Sequence, residues 1–212
     1  MATNGDSTME RAVEFAHRCG FEPKAKVSSV QPSFVLHLEL GASFVVAAVD
    51  KFGVSGWNSW NDSLAKLVPG FWTDGESEPA LCFWLDLDDA DLTHKQWDGI
   101  SLVLASCRRT RFDHSSLVGA EIQCGCSASF RSSDLRRATL CGDLTSVDFS
   151  DATTEGIILD DCTYNEGRPP VGLPAELLLQ CRPVPVGEPV GSGVTEYPVP
   201  ITASLAKAWV PR

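Results

Sequence analysis

The feature that most constrains the fold is an apolar residue that returns every five positions through the middle of the chain. Eight such residues follow one another: Leu87, Leu92, Trp97, Leu102, Cys107, Phe112, Leu117 and Ile122. We call these apolar residues the centres of the repeat. The residue two positions before a centre is mostly small, as at Ala90, Ala105 and Ala120. A helix repeats its faces about every 3.6 residues and a strand about every 2, so neither explains this period. A repeating architecture is therefore predicted.

The same period resumes after two interruptions. After a slip of three residues around Cys124 to Ser129, it continues at Phe130, Leu135 and Leu140. After a slip of one residue, it continues through four more centres: Leu144, Phe149, Thr154 and Leu159. The tract therefore contains fifteen units.

The repeat resembles that of the pentapeptide-repeat family, whose motif is Ala-Asp/Asn-Leu-x-x. The run Ala90-Asp91-Leu92-Thr93-His94 matches this motif fully, and residues 163–174 resemble the exit segment of such repeats. The resemblance spans roughly residues 85–162. It implies a mainly β fold, a right-handed quadrilateral β-helix (a pentapeptide-repeat solenoid) of about four coils. In that fold each pentapeptide forms one side of a square coil, with its central residue pointing inward.

Two stretches fit the motif poorly. Lys95 and Trp97 are large for a narrow interior, so we expect His94 to Gly99 to bulge or to lie near the mouth of the solenoid. Thr154 and Ile157 break the alternation of small and large residues. The regularity of the last coil is therefore left open.

Residues 1–80 predict a small α+β unit that would cap the solenoid, because a short solenoid exposes apolar side chains and strand edges at its ends. Ser7-x-x-Glu10 is a capping box, and apolar residues at helical spacing follow it. We therefore predict a helix from about Ser7 to Cys19.

Two further elements are predicted in this N-terminal unit. Alternation from Phe34 to Leu40, a turn at Gly41-Ala42 and an apolar run from Phe44 to Val49 are typical of a β-hairpin. A short helix should then begin near Trp57 and end at Pro69-Gly70.

The solenoid is expected over residues 81–165 and a C-terminal cap with a tail over residues 166–212. A short helix is predicted around Ala175 to Gln180. The segment from Arg182 to Pro200 is rich in Pro and Gly, which favours extended or loosely ordered chain.

Charge restricts the kind of partner. The chain has 28 acidic and 17 basic residues and a formal net charge of −11, so direct binding to nucleic acid or to an anionic membrane is not expected. No apolar run approaches the roughly 18 to 20 residues of a spanning helix, and the first residues lack the order of a secretory signal. We therefore expect a cytoplasmic protein whose partner is another protein, with an oligomer also open.

Catalytic and metal-binding motifs do not stand out in the sequence. Cys124-Gly125-Cys126 is the only close cysteine pair, and no second pair or histidine completes a zinc site. No nucleophile elbow, phosphate-binding loop or dinucleotide fingerprint occurs. We expect no enzyme activity, no catalytic residues, no cofactor, no metal and no disulfide, with Cys107 buried as a thiol.

Residues four units apart should stack on one face of the solenoid. Two inner ladders are then predicted: Leu87, Cys107, Phe130 and Phe149, and beside them Leu92, Phe112, Leu135 and Thr154. Two adjacent faces would carry, near His94 and His114, six outward arginines: Arg108, Arg109, Arg111, Arg131, Arg136 and Arg137.

The arginines have two interpretations. Convergent guanidinium groups bind carboxylate or phosphate, so they could form the binding site for an acidic partner. Alternatively, aspartates on the same faces could neutralise them: Asp88, Asp89, Asp113 and Asp134. The function we expect is a non-catalytic interaction or scaffold protein that uses the solenoid surface. The alternative, implied by the resemblance and the acidic charge, is a DNA-mimicking protein that binds a topoisomerase such as DNA gyrase and confers antibiotic resistance or self-protection.

Overall fold

The computed structural model describes residues 14–21, 24–30, 33–65, 80–103, 105–188 and 199–200. The chain divides into two compact units, Met1–Leu85 together with Glu196–Arg212, and Asp86–Thr195. Within the described ranges, no helix combines the length and the apolar character needed to cross a membrane. The repeat region forms the second unit.

The first unit contains both helices and strands. Helix α1 covers residues 14–18. Strands β1 (Lys24–Val30) and β2 (Ser33–Gly41) form an antiparallel hairpin and are followed by helix α2 (Ala42–Ala65). The sheet has the order β1-β2-β3-β10, with β3 at Ala80–Asp86 and β10 at Val199–Pro200. The predicted helix from Ser7 to Cys19 is confirmed over residues 14–18, and residues 7–13 lie outside the described part.

The predicted β-hairpin is half right. Phe34 to Leu40 is strand, but its partner is β1, and the segment from Phe44 to Val49 lies in α2 instead. The side chains of Phe44, Val45 and Ala48 are all fully buried. This spacing of one and four residues lies on one face of a helix, and burial of that face overrides the β-propensity of the segment.

Helix α2 bends in the middle and carries the aromatic core of this unit. Gly53 interrupts the helical backbone at φ 70°, a conformation that glycine adopts readily. Beyond the bend, the rings of Trp57 and Trp60 are buried with their centroids 5.1 Å apart. The predicted helix from Trp57 is thus confirmed as far as Ala65, and its predicted end at Pro69-Gly70 lies outside the described residues.

The second unit is a four-sided β-solenoid of about five turns. A parallel sheet of five strands covers one side and continues onto the side that follows it: β4 (Ser101–Leu102), β6 (Glu121–Cys124), β7 (Thr139–Asp143), β8 (Ile158–Asn165) and β9 (Arg182–Val184). Strand β5 (Ala105–Ser106) lies at the start of the second coil. Single parallel bridges join another side through all five coils: Asp91, Arg111, Ser129, Asp148 and Val171. The prediction of about four coils is one short, because residues 166–184 wind a further turn that includes helix α3 (Ala175–Leu178).

The five-residue register is confirmed by burial. The eight centres from Leu87 to Ile122 are at most 3% exposed, and Phe130, Leu135 and Leu140 are completely buried. The expected burial of Phe112, Leu117 and Leu135 is therefore observed, and Cys107 is buried as well.

The irregularities that the sequence suggested are small. Trp97 is 3% exposed, and its backbone N–H donates to the Ser116 carbonyl at 2.8 Å. Residues 94–99 therefore do not bulge, and they lie in the first coil. Ile157 is buried, Thr154 is half-buried, and Thr153 keeps its bridge to Asp134. The first coil therefore accommodates the wide tryptophan ring without losing its ladder.

The predicted inner ladders are wrong from the third coil onward. The ring of Phe130 stacks on that of Phe112 at 5.1 Å and on that of Phe149 at 5.5 Å, so these three residues share one side. Leu135 and Thr154 belong to the next side, together with Leu117. The cause lies at Gly125. This residue follows β6 and takes the place of a whole side, and a Cβ added to it would lie 2.6 Å from the Arg108 backbone nitrogen. The third coil is therefore shorter than twenty residues, and every later centre moves by one side.

Candidate functional site

The corners of the solenoid decide which side chains reach solvent. In each of the first four coils, three sides end in a two-residue turn, and the second turn residue has a positive φ, as in Arg109 (φ 55°) and Arg137 (φ 58°). At the corner of Arg137, the same position in other coils holds glycine: Gly99, Gly119 and Gly156. A non-glycine residue in this conformation costs about 1 to 2 kcal/mol. Arg137 therefore stands at a position where its backbone is strained and its side chain is exposed.

The six arginines lie around two adjacent sides, the second and the third, on the second side and at the three corners that bound these sides, whereas the prediction placed them around the first two. Arg108 and Arg109 form the first corner of the second coil, and Arg111 lies on the side that follows. Arg131 forms the second corner of the third coil, and Arg136 with Arg137 forms its third corner. The change follows from the short third coil, which moves Arg131, Arg136 and Arg137 one corner further around the axis.

Four of these arginines lie within ion-pair distance of aspartates, as the second interpretation of the arginines foresaw. The Arg109 guanidinium donates to both carboxylate oxygens of Asp89, and that of Arg136 does the same to Asp134. Three looser pairs join the Arg111 guanidinium to Asp91 at 3.3 Å and to Asp113 at 3.5 Å, and that of Arg131 to Asp148 at 3.8 Å. All four arginines remain more than half exposed. Exposed pairs of this kind each contribute little stability, about 0 to 1 kcal/mol.

Arg108 and Arg137 differ from the other four. Among the described residues, neither guanidinium lies within ion-pair distance of a carboxylate. Asp88, which we expected to neutralise an arginine, instead accepts hydrogen bonds from the Arg108 backbone N–H at 2.8 Å and from the Ser106 hydroxyl. The two arginines therefore carry positive charge that the described part of the solenoid does not pair.

Three aspartates at the corners join one coil to the next. Asp113 accepts hydrogen bonds from the Ser129 hydroxyl and from the backbone N–H of Arg131 at 3.0 Å. Asp88 and Asp98 make the equivalent pair of bonds to their next coil. Hydrogen bonds to a charged acceptor contribute about 1.5 to 3 kcal/mol each. The backbone at Arg108, Val118 and Arg131 is therefore held to the preceding coil.

A shallow depression lies at the third corner. Four residues line it: Arg136, Arg137, Glu155 and Gly156. An added Cβ at Gly156 would lie 3.5 Å from the Arg137 Cγ, an ordinary van der Waals distance, so the two residues are in neighbouring positions of adjacent coils. Sequence reasoning found the two arginines but missed Glu155 and Gly156, since only the coil stacking places them beside Arg137. We refer to these four residues as the arginine corner.

The forked bond from Arg136 lowers the pKa of the Asp134 carboxyl below its ordinary value of 3.8, and the bond from Arg109 lowers the pKa of Asp89. A carboxyl whose pKa is lower in the folded state stabilises the fold above its unfolded pKa, and this stabilisation is lost as the pH falls through the folded pKa.

We therefore expect the free energy of unfolding to decrease as the pH falls below about 4. Urea titrations between about pH 2.5 and 5 would measure this decrease. The Asp134→Asn variant should show a smaller decrease, whereas Asp160→Asn, at an exposed position, should keep it in full. Equal decreases in the wild type and in Asp134→Asn would contradict the role of the Arg136 pair.

The histidines and cysteines whose side chains the structure describes do not converge on a metal site. The His94 and His114 rings lie at the second corner of adjacent coils and stack with their centroids 5.1 Å apart. Seven cysteines are free thiols in the described part of the chain. No group of three or more histidine, cysteine, aspartate or glutamate side chains in that part converges so that it could hold a metal ion.

Comparisons with known proteins add the following. No protein-family model matches the chain, and no curated protein matches it. Among solved structures, the chain is similar to a pentapeptide repeat protein from Nostoc Pcc 7120, with 20% identity over 47% of this chain and 81% of that chain and a TM-score of 0.29. It is also similar to a pentapeptide repeat protein from the cyanobacterium Cyanothece 51142, with 22% identity over 40% of this chain and 63% of that chain and a TM-score of 0.24. The five-residue register and the four-sided coils give the second unit the fold of a pentapeptide-repeat β-solenoid.

Proposed function

We propose that this protein is a non-catalytic interaction protein whose arginine corner binds an acidic side chain of a partner protein. The observation that carries the proposal is Arg137, an exposed arginine that pairs with no carboxylate among the described residues, at a corner where three other coils have glycine. A strained residue persists only where the surrounding structure supports it, and such residues concentrate at functional sites.

The neighbouring Arg136 supports this role. Its Nε and Nη2 donate to Asp134, which fixes the guanidinium plane and orients it before any partner arrives. A guanidinium fixed in this way loses less conformational freedom on binding than a mobile one. Arg136 and Arg137 together can therefore present a planar donor and an unpaired positive charge to one carboxylate.

The charge of the whole solenoid favours a protein partner over nucleic acid. Residues 86–188 include seventeen acidic and nine basic side chains. A surface of this kind repels the phosphate backbone of a nucleic acid, whereas a partner protein can place a single acidic group against the arginine corner. We therefore propose recognition of a local acidic motif.

The proposal is tested by removing the charges of the third coil. The variant Arg131→Gln, Arg136→Gln, Arg137→Gln should keep the fold, because these side chains point outward, and should bind the partner at least tenfold more weakly. This loss corresponds to one charged hydrogen bond of about 1.5 to 3 kcal/mol. Affinity capture with the wild type identifies the partner, and calorimetry with the purified partner gives the dissociation constants at two salt concentrations.

The second coil supplies a matched control. The variant Arg108→Gln, Arg109→Gln, Arg111→Gln removes the same charge from other positions and should bind the partner with nearly wild-type affinity. Unchanged binding by the third-coil variant would exclude the arginine corner. Equal loss in both variants would indicate that total charge, and not this corner, controls the binding.

A second candidate function is binding to a type II topoisomerase such as DNA gyrase as a mimic of DNA. The observation that favours it is the excess of acidic side chains over basic ones along residues 86–188. A supercoiling assay with and without the protein separates the two candidates. Inhibition of gyrase that is equal for the wild type and the third-coil variant would favour the DNA mimic.

A further inference from the structure

Two cysteines meet where the last turn of the solenoid joins the one before it. Strand β9 pairs in parallel with β8, and Thr163 lies opposite Arg182. Cys162 and Cys181 immediately precede this pair, so the same register places them side by side in adjacent strands. Neighbouring strands lie about 4.7 to 4.9 Å apart. That spacing falls within the range of about 4.4 to 6.8 Å that a disulfide spans between Cα atoms.

Both side chains point into the solenoid and face each other. Cys162 is 2% exposed and Cys181 is 6% exposed. The Cys162 thiol donates to the Leu140 carbonyl at 3.2 Å and the Cys181 thiol to the Leu177 carbonyl at 3.9 Å. The neighbouring Cys162 thiol lowers the pKa of Cys181 below its ordinary value. A lower pKa increases the thiolate fraction, and the thiolate is the reactive form of cysteine.

We propose that Cys162 and Cys181 form a reversible disulfide under peroxide, and that this bond locks the last turn onto the solenoid. The proposal does not depend on the arginine corner. The bond would close the segment 163–180, which contains helix α3 and the exit from the repeat tract.

The reaction takes two steps with hydrogen peroxide as the oxidant. The Cys181 thiolate attacks one peroxide oxygen, the O–O bond breaks, and the second oxygen leaves as hydroxide, which is protonated to water. Cys181 is then a sulfenic acid. The Cys162 thiol attacks the sulfur of Cys181, the S–O bond breaks, and a second water leaves. Two thiols lose two electrons to one peroxide, and a thiol reductant reverses the change.

A disulfide at this place acts on the part of the solenoid that has the fewest neighbours. Within the described residues, β9 is an edge strand that pairs only with β8, through three residue pairs. Strands at such an edge open first in local unfolding. A covalent bond between β8 and β9 restricts this opening, so the oxidised protein should unfold at a higher temperature than the reduced one.

Peptide mapping of the full chain tests the bond directly. The wild type is treated with hydrogen peroxide, its free thiols are alkylated under denaturing conditions, and it is cleaved after glutamate. Cleavage after Glu155, Glu166, Glu176 and Glu188 places Cys162 in peptide 156–166 and Cys181 in peptide 177–188. We expect the two peptides as one cross-linked species that separates on reduction, together with a raised melting temperature that dithiothreitol lowers again.

Two single variants provide the comparison. Cys181→Ser should lose both the cross-link and the rise in melting temperature, whereas Cys126→Ser, at a corner turn, should keep both. If Cys181→Ser does not fold, the wild-type map and Cys162→Ala still decide the question. The proposal is overturned if peptides 156–166 and 177–188 stay separate after Cys126 has been oxidised. It is also overturned if the cross-link forms without raising the melting temperature.

Discussion

Replacing Phe130 with alanine should lower the free energy of unfolding of the solenoid by about 3 to 5 kcal/mol. The side chain is completely buried, and its ring stacks between those of Phe112 and Phe149 at 5.1 and 5.5 Å. The substitution removes apolar contacts on both sides and leaves a cavity in the narrow interior, where the backbone ladder prevents the coils from closing around it. Urea unfolding followed by circular dichroism measures the loss.

The adjacent residue is the matched control for Phe130. Arg131 is 60% exposed and contacts Asp148 only at 3.8 Å, so Arg131→Ala should change the free energy of unfolding by no more than about 0.5 kcal/mol. A Phe130→Ala variant within 1 kcal/mol of the wild type would mean that the ring does not fill the interior, and the register of the third coil would have to be revised.

Replacing Gly142 with alanine should also be strongly destabilising, by about 2 to 5 kcal/mol. Gly142 has φ 100°, and a Cβ there would lie 2.7 Å from the Cys124 carbonyl oxygen of the preceding coil. Strand β7 is paired on both sides, with β6 and with β8, so it cannot move away from one neighbour without straining the other. The cost combines backbone strain with overpacking.

Gly119 separates these two contributions. It also has a positive φ, 66°, but a Cβ there would meet no atom within 4 Å. Gly119→Ala should therefore cost only the backbone strain, about 1 to 2 kcal/mol. Thermal or urea unfolding of both variants gives the difference, and equal losses would show that the approach of Gly142 to Cys124 does not limit the coil spacing.

The repeat could be read from the sequence because its cause is local. A side chain at the centre of each pentapeptide must be apolar to enter the interior, whatever lies above or below it. The eight centres from Leu87 to Ile122 are all apolar and all buried. Within the solenoid, the wrong inner ladders follow from an interruption of the period and not from the period itself.

Where the period is interrupted, the sequence does not show how many sides the coil has. The slip after Ile122 is compatible with an added partial side or with a shortened one, and both keep Phe130 buried. Only the stacking of Phe130 on Phe112 shows that the coil is shortened. The positions of Arg131, Arg136 and Arg137 depend on this choice, so the candidate site could be named from the sequence but not located.

In the N-terminal unit, too, tertiary contacts decide what the local sequence pattern leaves open. The segment from Phe44 to Val49 has residues with strand propensity, but its buried face is helical, with Phe44 packed between Trp57 and Trp60. Contacts with residues later in the chain decide between the two structures, and local pattern does not contain those contacts.

The sequence by itself thus determined the five-residue period, the apolar interior and the kinds of residue available at the surface, because each depends on one residue and its nearest neighbours. The tertiary structure alone decided which coils are shortened, which aspartate pairs with which arginine, and that Cys162 lies beside Cys181. Except for the pair of Arg136 with Asp134, these relations join residues about twenty positions apart, and they change when one coil gains or loses a residue. The arginine corner is therefore a property of the stacking of coils and not of any single repeat.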